Sequence, residues 1–231
     1  YHANLAIASA LINKNTIIFQ DKLNHASLID AAKLSKGKLV RYQHRDLTHL
    51  KSLLEKYKGN ELVVMTDGVF SMDGDRAPLM EITKLCRTYN ALLIVDDAHG
   101  IGVLGENGAG LLEEEGLEKE VDLLIGTFGK SFGASGAFIV SSETIIEAFI
   151  QKARTYIYTT ALLPSLASTI THALNMIKES NNLRLHIREL ITEYKKLSKK
   201  AGVCVSELDS HIQPLIIGGA EETTRVSKAL Y

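Results

Sequence analysis

Short apolar runs alternate with amphipathic stretches over the first two thirds of the chain, and this alternation constrains the fold more than any other feature. Leucines between the runs recur at helical spacing, as from Leu47 to Leu54. Because nearly continuous apolar strands between helices are buried on both faces, the pattern predicts an α/β domain with a mostly parallel sheet. The predicted strands are Thr16–Phe19, Lys38–Tyr42, Leu62–Thr66, Leu92–Asp96, Leu123–Gly126 and Gly136–Val140.

From Pro164 onward the pattern changes to one helix after another. The predicted elements are helices over Pro164–Ser180, Leu183–Lys200 and Glu221–Leu230, and strands over Val203–Val205 and Leu215–Ile217. We therefore expect a large domain over residues 1–180. Residues 181–231 are expected to form a linker helix and the start of a small C-terminal α+β domain.

Composition narrows the classes of function. The chain has 231 residues, does not begin with Met and stops inside a predicted helix, so we expect a segment of a longer protein without the N-terminal part of its large domain. Lys and Arg total 26 against 27 Asp and Glu, which disfavours nucleic-acid binding. No apolar run is long enough for a bilayer and no leader is visible, so we expect a cytoplasmic protein. Two cysteines make neither a disulfide framework nor a four-cysteine zinc site, and no metal is expected.

The segment Gly100–Gly105 matches the G-x-G-x-x-G pattern that can bind a dinucleotide after a strand. Asp96, Asp97 and His99 stand between the predicted strand and these glycines, which places negative charge where a diphosphate would lie. More glycine-rich loop follows, where dinucleotide binding needs a helix. The pattern therefore favours a structural turn, and a nicotinamide-dependent oxidoreductase is the more distant alternative.

Lys130 stands in a loop with three glycines, Gly126, Gly129 and Gly133, directly after a predicted strand. Glycines allow tight turns and a close approach of the backbone. A lysine in such a loop suggests a covalent bond to an aldehyde cofactor, although an ordinary solvated lysine is the alternative.

Asp96 ends a strand that we expect to be buried, where a carboxylate is costly unless it is paired. A protonated pyridine nitrogen would be a suitable partner, because the carboxylate then helps the ring to take up electrons. Helix capping or metal ligation is the alternative, and a metal is disfavoured because no histidine pair or cysteine cluster accompanies Asp96.

Four ordered segments together resemble the α-oxoamine synthases. They read Leu-Asn-His-Ala-Ser at 23–27, Gly-Val-Phe-Ser-Met-Asp-Gly-Asp at 68–75, Asp-Asp-Ala-His-Gly at 96–100 and Gly-Thr-Phe-Gly-Lys at 126–130. This family consists of pyridoxal 5'-phosphate (PLP) enzymes of fold type I, the aspartate-aminotransferase-like fold, and the resemblance extends from Tyr1 to about Gly219. The fold, cofactor and small-molecule substrates of the family are therefore expected here.

Within the family, the segments are most similar to the acyltransferase that condenses L-alanine with pimeloyl-CoA, or with a pimeloyl carrier protein, in biotin biosynthesis. Glycine C-acetyltransferase or another member of the family is the alternative. A non-catalytic partner subunit is disfavoured because Lys130 is present.

The resemblance also implies roles for individual residues. Lys130 would bind the aldehyde of PLP and then act as general base, and Asp96 would hold the pyridine nitrogen. His99 and Ser71 would hydrogen-bond the phenolic oxygen of the cofactor. His25 would stack on the ring and assist catalysis, with capping of the helix at Ser27 as its alternative.

Two further contacts implied by the resemblance concern the phosphate. Thr127 would contact the phosphate of the cofactor bound in the same chain. Thr159 or Thr160 would reach the phosphate of the cofactor in a partner subunit. The resemblance thereby implies a homodimer with the site at the interface.

Overall fold

The computed structural model describes residues 1–230, which are built around a six-stranded sheet. The strands are β1 Thr16–Asp21, β2 Lys38–Tyr42, β3 Glu61–Asp67, β4 Ala91–Asp96, β5 Leu123–Thr127 and β6 Ala137–Ser141. Their order is β2-β1-β3-β4-β5-β6, and all neighbours are parallel except β6, which is antiparallel to β5. The six strands predicted between Thr16 and Val140 and the predicted α/β class are confirmed.

Ten helices accompany the sheet within residues 1–230. They are α1 His2–Ala10, α2 Ala26–Leu34, α3 Leu47–Lys56, α4 Leu79–Tyr89, α5 Leu111–Glu115, α6 Glu143–Lys152, α7 Arg154–Ile157, α8 Pro164–Glu179, α9 Asn181–Lys200 and α10 Ala220–Ala229. In this part of the chain, no helix has both the length and the apolar character needed to cross a membrane.

The central strands are buried on both faces, as the sequence pattern requires. Val64 and Leu93 point into one apolar cluster, which α3 and α4 complete. Val63 and Ile94, their neighbours along the same strands, point into a second cluster with α1, α2 and α6. Successive side chains of a strand alternate between faces, so each strand supplies both layers of the core.

The C-terminal helices lie where the sequence predicts them, but the two strands predicted between α9 and α10 are wrong. Residues 203–217 form no strand. A strand needs a neighbouring strand to complete its backbone hydrogen bonds, and this segment has none in the described part of the chain. It runs instead along the sheet domain, where Ile212 packs against the first apolar cluster and the Asp209 carbonyl accepts a hydrogen bond from Arg76. The division into a large and a small domain stays a prediction.

Candidate active site

A pocket opens where β3, β4 and β5 end, at the edge of the sheet where parallel α/β folds hold their ligands. It contains about 510 Å³ of space outside protein atoms, part of it open to solvent. Its lining residues are Tyr1, Ala3, Asn4, His25, Ser27, Asp67, Ser71, Asp96, Ala98, His99, Ile125, Gly126, Thr127, Lys130 and Ala137. Six of the eight predicted site residues therefore share one cavity, namely His25, Ser71, Asp96, His99, Thr127 and Lys130.

Asp96 is the last residue of β4 and only 7% exposed. Its Oδ2 accepts a hydrogen bond from the Asn4 side-chain amide at 2.6 Å, and its Oδ1 accepts one from the Ala98 backbone at 3.0 Å. These two donors stabilise a carboxylate with little access to water. Asp96 is therefore a hydrogen-bond acceptor held in a fixed position on the pocket wall.

Lys130 lies in the turn between β5 and β6, which is closed by a backbone hydrogen bond from Phe128 to Gly136. Phe128 packs against Phe132 and Phe138, with ring centroids 5.1 and 5.0 Å apart. These three rings pack against one another on both sides of Lys130 in the sequence and so stabilise the turn. Burial lowers the pKa of the Lys130 amine, although the charge of Asp96 opposes the shift. An amine that loses its proton readily suits covalent chemistry with an aldehyde.

Gly126 precedes this turn on β5 and is needed there for close packing. A Cβ at this position would lie 2.3 Å from the Phe138 ring and 2.6 Å from the Ile101 side chain. The strand can therefore approach its neighbours only with glycine at this position.

The sequence left two roles open for His25, capping of α2 and a place in the site, and His25 both caps α2 and lines the pocket. It is the N-cap of α2, where its Nδ1 accepts a hydrogen bond from the Ser27 backbone at 3.3 Å, and it also lines the pocket. The backbone N–H of His25 donates to Asp67 Oδ2 at 2.6 Å. Capping and a place in the site are thus compatible, because the cap uses only one ring nitrogen.

Asp67 ends β3 directly beside Asp96 on β4, and the two residues pair in register. Burial, followed by the negative charge of Asp96, raises the pKa of Asp67 to about 8. Near neutral pH the Asp67 carboxyl is therefore mostly protonated. The neighbouring Asp96 carboxyl differs from it in accepting hydrogen bonds from two N–H donors.

His99, Ser71 and Thr127 complete the polar wall of the pocket. Burial and the positive charge of Lys130 lower the pKa of His99 to about 4, so its imidazole is neutral at pH 7. The Thr127 hydroxyl donates to the Gly136 carbonyl at 3.2 Å and accepts from the Gly129 amide at 3.1 Å. Neutral polar groups therefore surround the cavity between Lys130 and Asp96.

Thr159 and Thr160 are exposed and do not line this pocket. They follow α7 on the surface of the chain. Their contact with the phosphate in a partner subunit stays a prediction.

The glycines of the Gly100–Gly105 turn pack against carboxylates of the same chain, Asp97 at Gly100 and Glu113 at Gly105, and do not line a binding cleft. A Cβ on Gly100 would lie 2.1 Å from Asp97 Oδ1. All backbone amides of the turn are bonded within the protein, including that of Gly105, which donates to Glu114 at 3.3 Å. A pyrophosphate would find no free donor here, so the structure favours the structural turn over dinucleotide binding.

Sequence reasoning gave no role to Asn4, Ser27 or Asp67. Asp67 could have been found, because it ends a buried strand in the same way as Asp96. Asn4 gives no such signal, because it lies 92 residues before Asp96 in the sequence and contacts it only when α1 packs beside the sheet.

Comparison with known proteins agrees with the geometry. The family model for aminotransferase class I and II matches residues 1–231. The chain is 42% identical to the 8-amino-7-oxononanoate synthase of Alkalilimnicola ehrlichii and 46% identical to that of Pseudomonas entomophila. Each alignment covers 100% of this chain and 59% of the relative. The chain thus spans less than two thirds of the length of these curated relatives.

Solved structures show the same fold. A serine palmitoyltransferase of S. paucimobilis with a bound PLP–myriocin aldimine matches with a TM-score of 0.91 and 32% identity, over 96% of this chain and 58% of that one. The 8-amino-7-oxononanoate synthase of Francisella tularensis matches with a TM-score of 0.86 and 36% identity, over 99% and 67%. The predicted fold type is confirmed, and the chain belongs to the aminotransferase class I and II family.

Proposed function

We propose that this chain carries the PLP site of an α-oxoamine synthase. The whole protein would condense L-alanine with pimeloyl-CoA, or with a pimeloyl carrier protein, and release CO₂ and the free thiol with 8-amino-7-oxononanoate. The observation that carries the proposal is that Lys130 and Asp96 line one cavity in a chain with relatives of this name.

The residues present fit PLP. The cofactor has an aldehyde, a basic ring nitrogen, a phenolic oxygen and a phosphate. The pocket offers an amine at Lys130, a fixed carboxylate at Asp96 and neutral hydrogen-bonding groups at His99, Ser71 and Thr127. Asp67 supports the fit because its raised pKa leaves a single negative charge for one protonated ring nitrogen.

PLP, when bound, supplies an aldehyde that bonds amines and a ring that takes up electrons. Asp96 would accept a hydrogen bond from the protonated ring nitrogen and would thereby keep the proton there. The Lys130 amine, with its lowered pKa, takes up the proton that the amino acid loses at Cα. His25, which lines the pocket, would stack on the ring and offer a ring nitrogen to the substrate.

The assembly belongs to the same proposal. Tyr1 lines the pocket and is 58% exposed, and Thr159 and Thr160 are exposed as well. We therefore assign these threonines to the phosphate of a second copy, in a homodimer with two equivalent sites.

A second candidate is another acyl transfer within the same family. The higher TM-score of the serine palmitoyltransferase compared with the Francisella enzyme favours it, although the higher identity of the curated relatives favours the first candidate. L-serine and palmitoyl-CoA would then replace L-alanine and pimeloyl-CoA.

A product assay separates the two candidates. The protein is incubated with PLP, an amino acid and an acyl-CoA, and free CoA and the amino-ketone are measured for alanine, glycine and serine against pimeloyl-CoA, acetyl-CoA and palmitoyl-CoA. We expect turnover with alanine and pimeloyl-CoA, and none in Lys130→Ala. The surface variant Lys119→Ala is the control and should match wild type. Turnover by Lys130→Ala at the wild-type rate would contradict the proposal.

A further inference from the structure

A continuous hydrogen-bond network joins Asp96 to His25 through two side chains with no role assigned so far. The Asn4 amide nitrogen donates to Asp96 Oδ2 at 2.6 Å and to Ser27 Oγ at 2.7 Å. Ser27 Oγ in turn lies 2.7 Å from His25 Nδ1. Asn4 and Ser27 are 2% and 1% exposed, so water does not compete for these contacts.

The direction of the two hydrogen bonds from Asn4 follows from chemistry. A carboxylate only accepts, so the NH₂ side of the Asn4 amide must face Asp96. The same nitrogen gives its second hydrogen to Ser27 Oγ. The Ser27 hydroxyl, which already accepts from Asn4, has its one hydrogen free for His25 Nδ1.

The Ser27 backbone supplies an independent reason for the same direction. Its N–H points at His25 Nδ1 from 3.3 Å, and a backbone N–H can only donate. Nδ1 therefore accepts from two groups of Ser27 and carries no hydrogen. In the neutral ring the hydrogen must then be on Nε2.

We infer that Asn4 and Ser27 are positioning residues that hold neutral His25 in the Nε2–H tautomer and orient it relative to Asp96. The use of this tautomer rests on the proposed function, in which His25 presents an N–H donor to a substrate oxygen. The tautomer itself is a property of the chain without cofactor or substrate. Ser27 acts directly on the ring, and Asn4 acts through Ser27.

The test is NMR of the full chain with ¹⁵N-labelled histidine, without PLP, at a pH where the ring is neutral. His25 is assigned from the signals that disappear in His25→Gln. In the Nε2–H tautomer the protonated nitrogen couples to both ring C–H protons, whereas in the Nδ1–H tautomer it couples strongly to only one. We expect the first pattern in the wild-type chain, and the second pattern would overturn the inference.

Variants test the pathway. Ser27→Ala should raise the ratio of Nδ1–H to Nε2–H by about fivefold, the effect of losing one ordinary hydrogen bond. Asn4→Ala should shift the ratio in the same direction by less. The double variant should match Ser27→Ala, because the effect of Asn4 passes through Ser27. An unchanged ratio in Ser27→Ala, or additive effects in the double variant, would overturn the pathway.

Thr83→Val is the matched control. It removes a buried hydroxyl that lies on α4, outside the pocket, and has no hydrogen-bond partner among residues 1–230. The His25 signals should stay unchanged in this variant. Circular dichroism checks that each variant is folded, and the wild-type pattern alone decides the tautomer if Ser27→Ala does not fold.

The same sample distinguishes this inference from the proposed function. PLP is added to the wild-type chain and its bond to Lys130 is measured by absorbance. Binding of PLP together with the Nδ1–H pattern would overturn the inference and keep the function. The Nε2–H pattern with no PLP bound would support the inference and contradict the proposed function.

Discussion

The sheet region and the helices that follow it are stabilised in different ways. The sheet region buries its own apolar side chains, as Leu93 shows with 1% exposure at the centre of β4. The later helices α8 and α10 have no buried residue, and α9 leaves Leu197 53% exposed. Amphipathic patterning therefore produces helices in both regions, but within residues 1–230 only the sheet region encloses a core and carries the polar pocket.

The largest expected effect contrasts a core leucine with an exposed one. Leu93→Ala should lower the free energy of unfolding by about 2–5 kcal/mol, since it removes buried methyl groups and leaves a cavity. Leu197→Ala on α9 should change it by about 0.5 kcal/mol or less. Urea unfolding of both variants measures the difference. Equal losses would show that the helical region has a core of its own.

Asp67 tests the polar edge of the sheet region. Its pKa in the folded chain is about 8, so the folded state keeps a proton that the unfolded chain loses above about pH 4. The stability that this proton provides is full below pH 4 and is lost as the pH rises toward 8.

The matching variant is Asp67→Asn, which does not titrate. Relative to this variant, the wild-type chain should lose about 3–4 kcal/mol of stability between pH 5 and pH 8. Unfolding in urea at both pH values gives the result, and the surface variant Glu118→Gln should show no such trend. A constant difference between Asp67→Asn and wild type would mean that Asp67 is ionised throughout.

Arg184 tests how the helices are attached to the sheet region. It is 3% exposed and donates to the Ile177 carbonyl on α8 and the Glu106 carbonyl of the sheet region, each at 2.6 Å. Arg184→Ala leaves both carbonyls without this donor and should cost about 1–2 kcal/mol.

Hydrogen exchange locates that loss. Amides of α8 and α9 should exchange faster in Arg184→Ala, and those of β3 and β4 should not change. Arg188→Ala is the matched control, because Arg188 is exposed and its ion pair with Glu114 is 3.5 Å long. Faster exchange throughout the sheet would show that the two regions unfold together.

His44 gives the smallest expected effect. Its two ring nitrogens lie 2.9 Å from Asp21 and 2.7 Å from Asp75. Burial lowers the pKa of His44, but the hydrogen bonds to both carboxylates outweigh it and the net pKa is raised. The stabilisation by protonated His44 is therefore complete below about pH 6.5 and is lost as the pH rises through the raised pKa.

Comparison of wild type with His44→Gln at pH 6 and pH 9 measures this contribution. The stability difference should shrink by about 0.5–1 kcal/mol at the higher pH, the scale of a partly exposed hydrogen bond. His172→Gln, on the exposed surface of α8, should show no change. A difference that grows with pH would reverse the assigned sign.

The sequence predicts the sheet well because each strand carries its own signal. Runs such as Leu62–Thr66 and Leu92–Asp96 are apolar enough to be buried on both faces wherever they pair. Val203–Val205 and Leu215–Ile217 carry a similar but shorter signal and form no strand. A short β-branched run becomes a strand only when another strand lies beside it, and no local pattern contains that information.

The site shows the same limit. Lys130 and Asp96 could be picked out because their loop and strand-end positions are unusual for charged residues. The network from Asn4 through Ser27 could not, because it depends on the packing of α1 against α2 and on contacts across 92 residues. The raised pKa of Asp67 likewise arises only in the folded chain, where the ends of β3 and β4 lie side by side.

The central claim is that Lys130 and Asp96 flank one PLP-binding pocket. The most direct measurement is to incubate the chain with PLP, reduce it with borohydride and map the modified lysine by mass spectrometry. Modification should concentrate on Lys130 and should drop strongly in Asp96→Asn, with Lys130→Ala unlabelled at this peptide. Labelling spread over surface lysines, with Lys130 no more reactive than Lys119, would contradict the account.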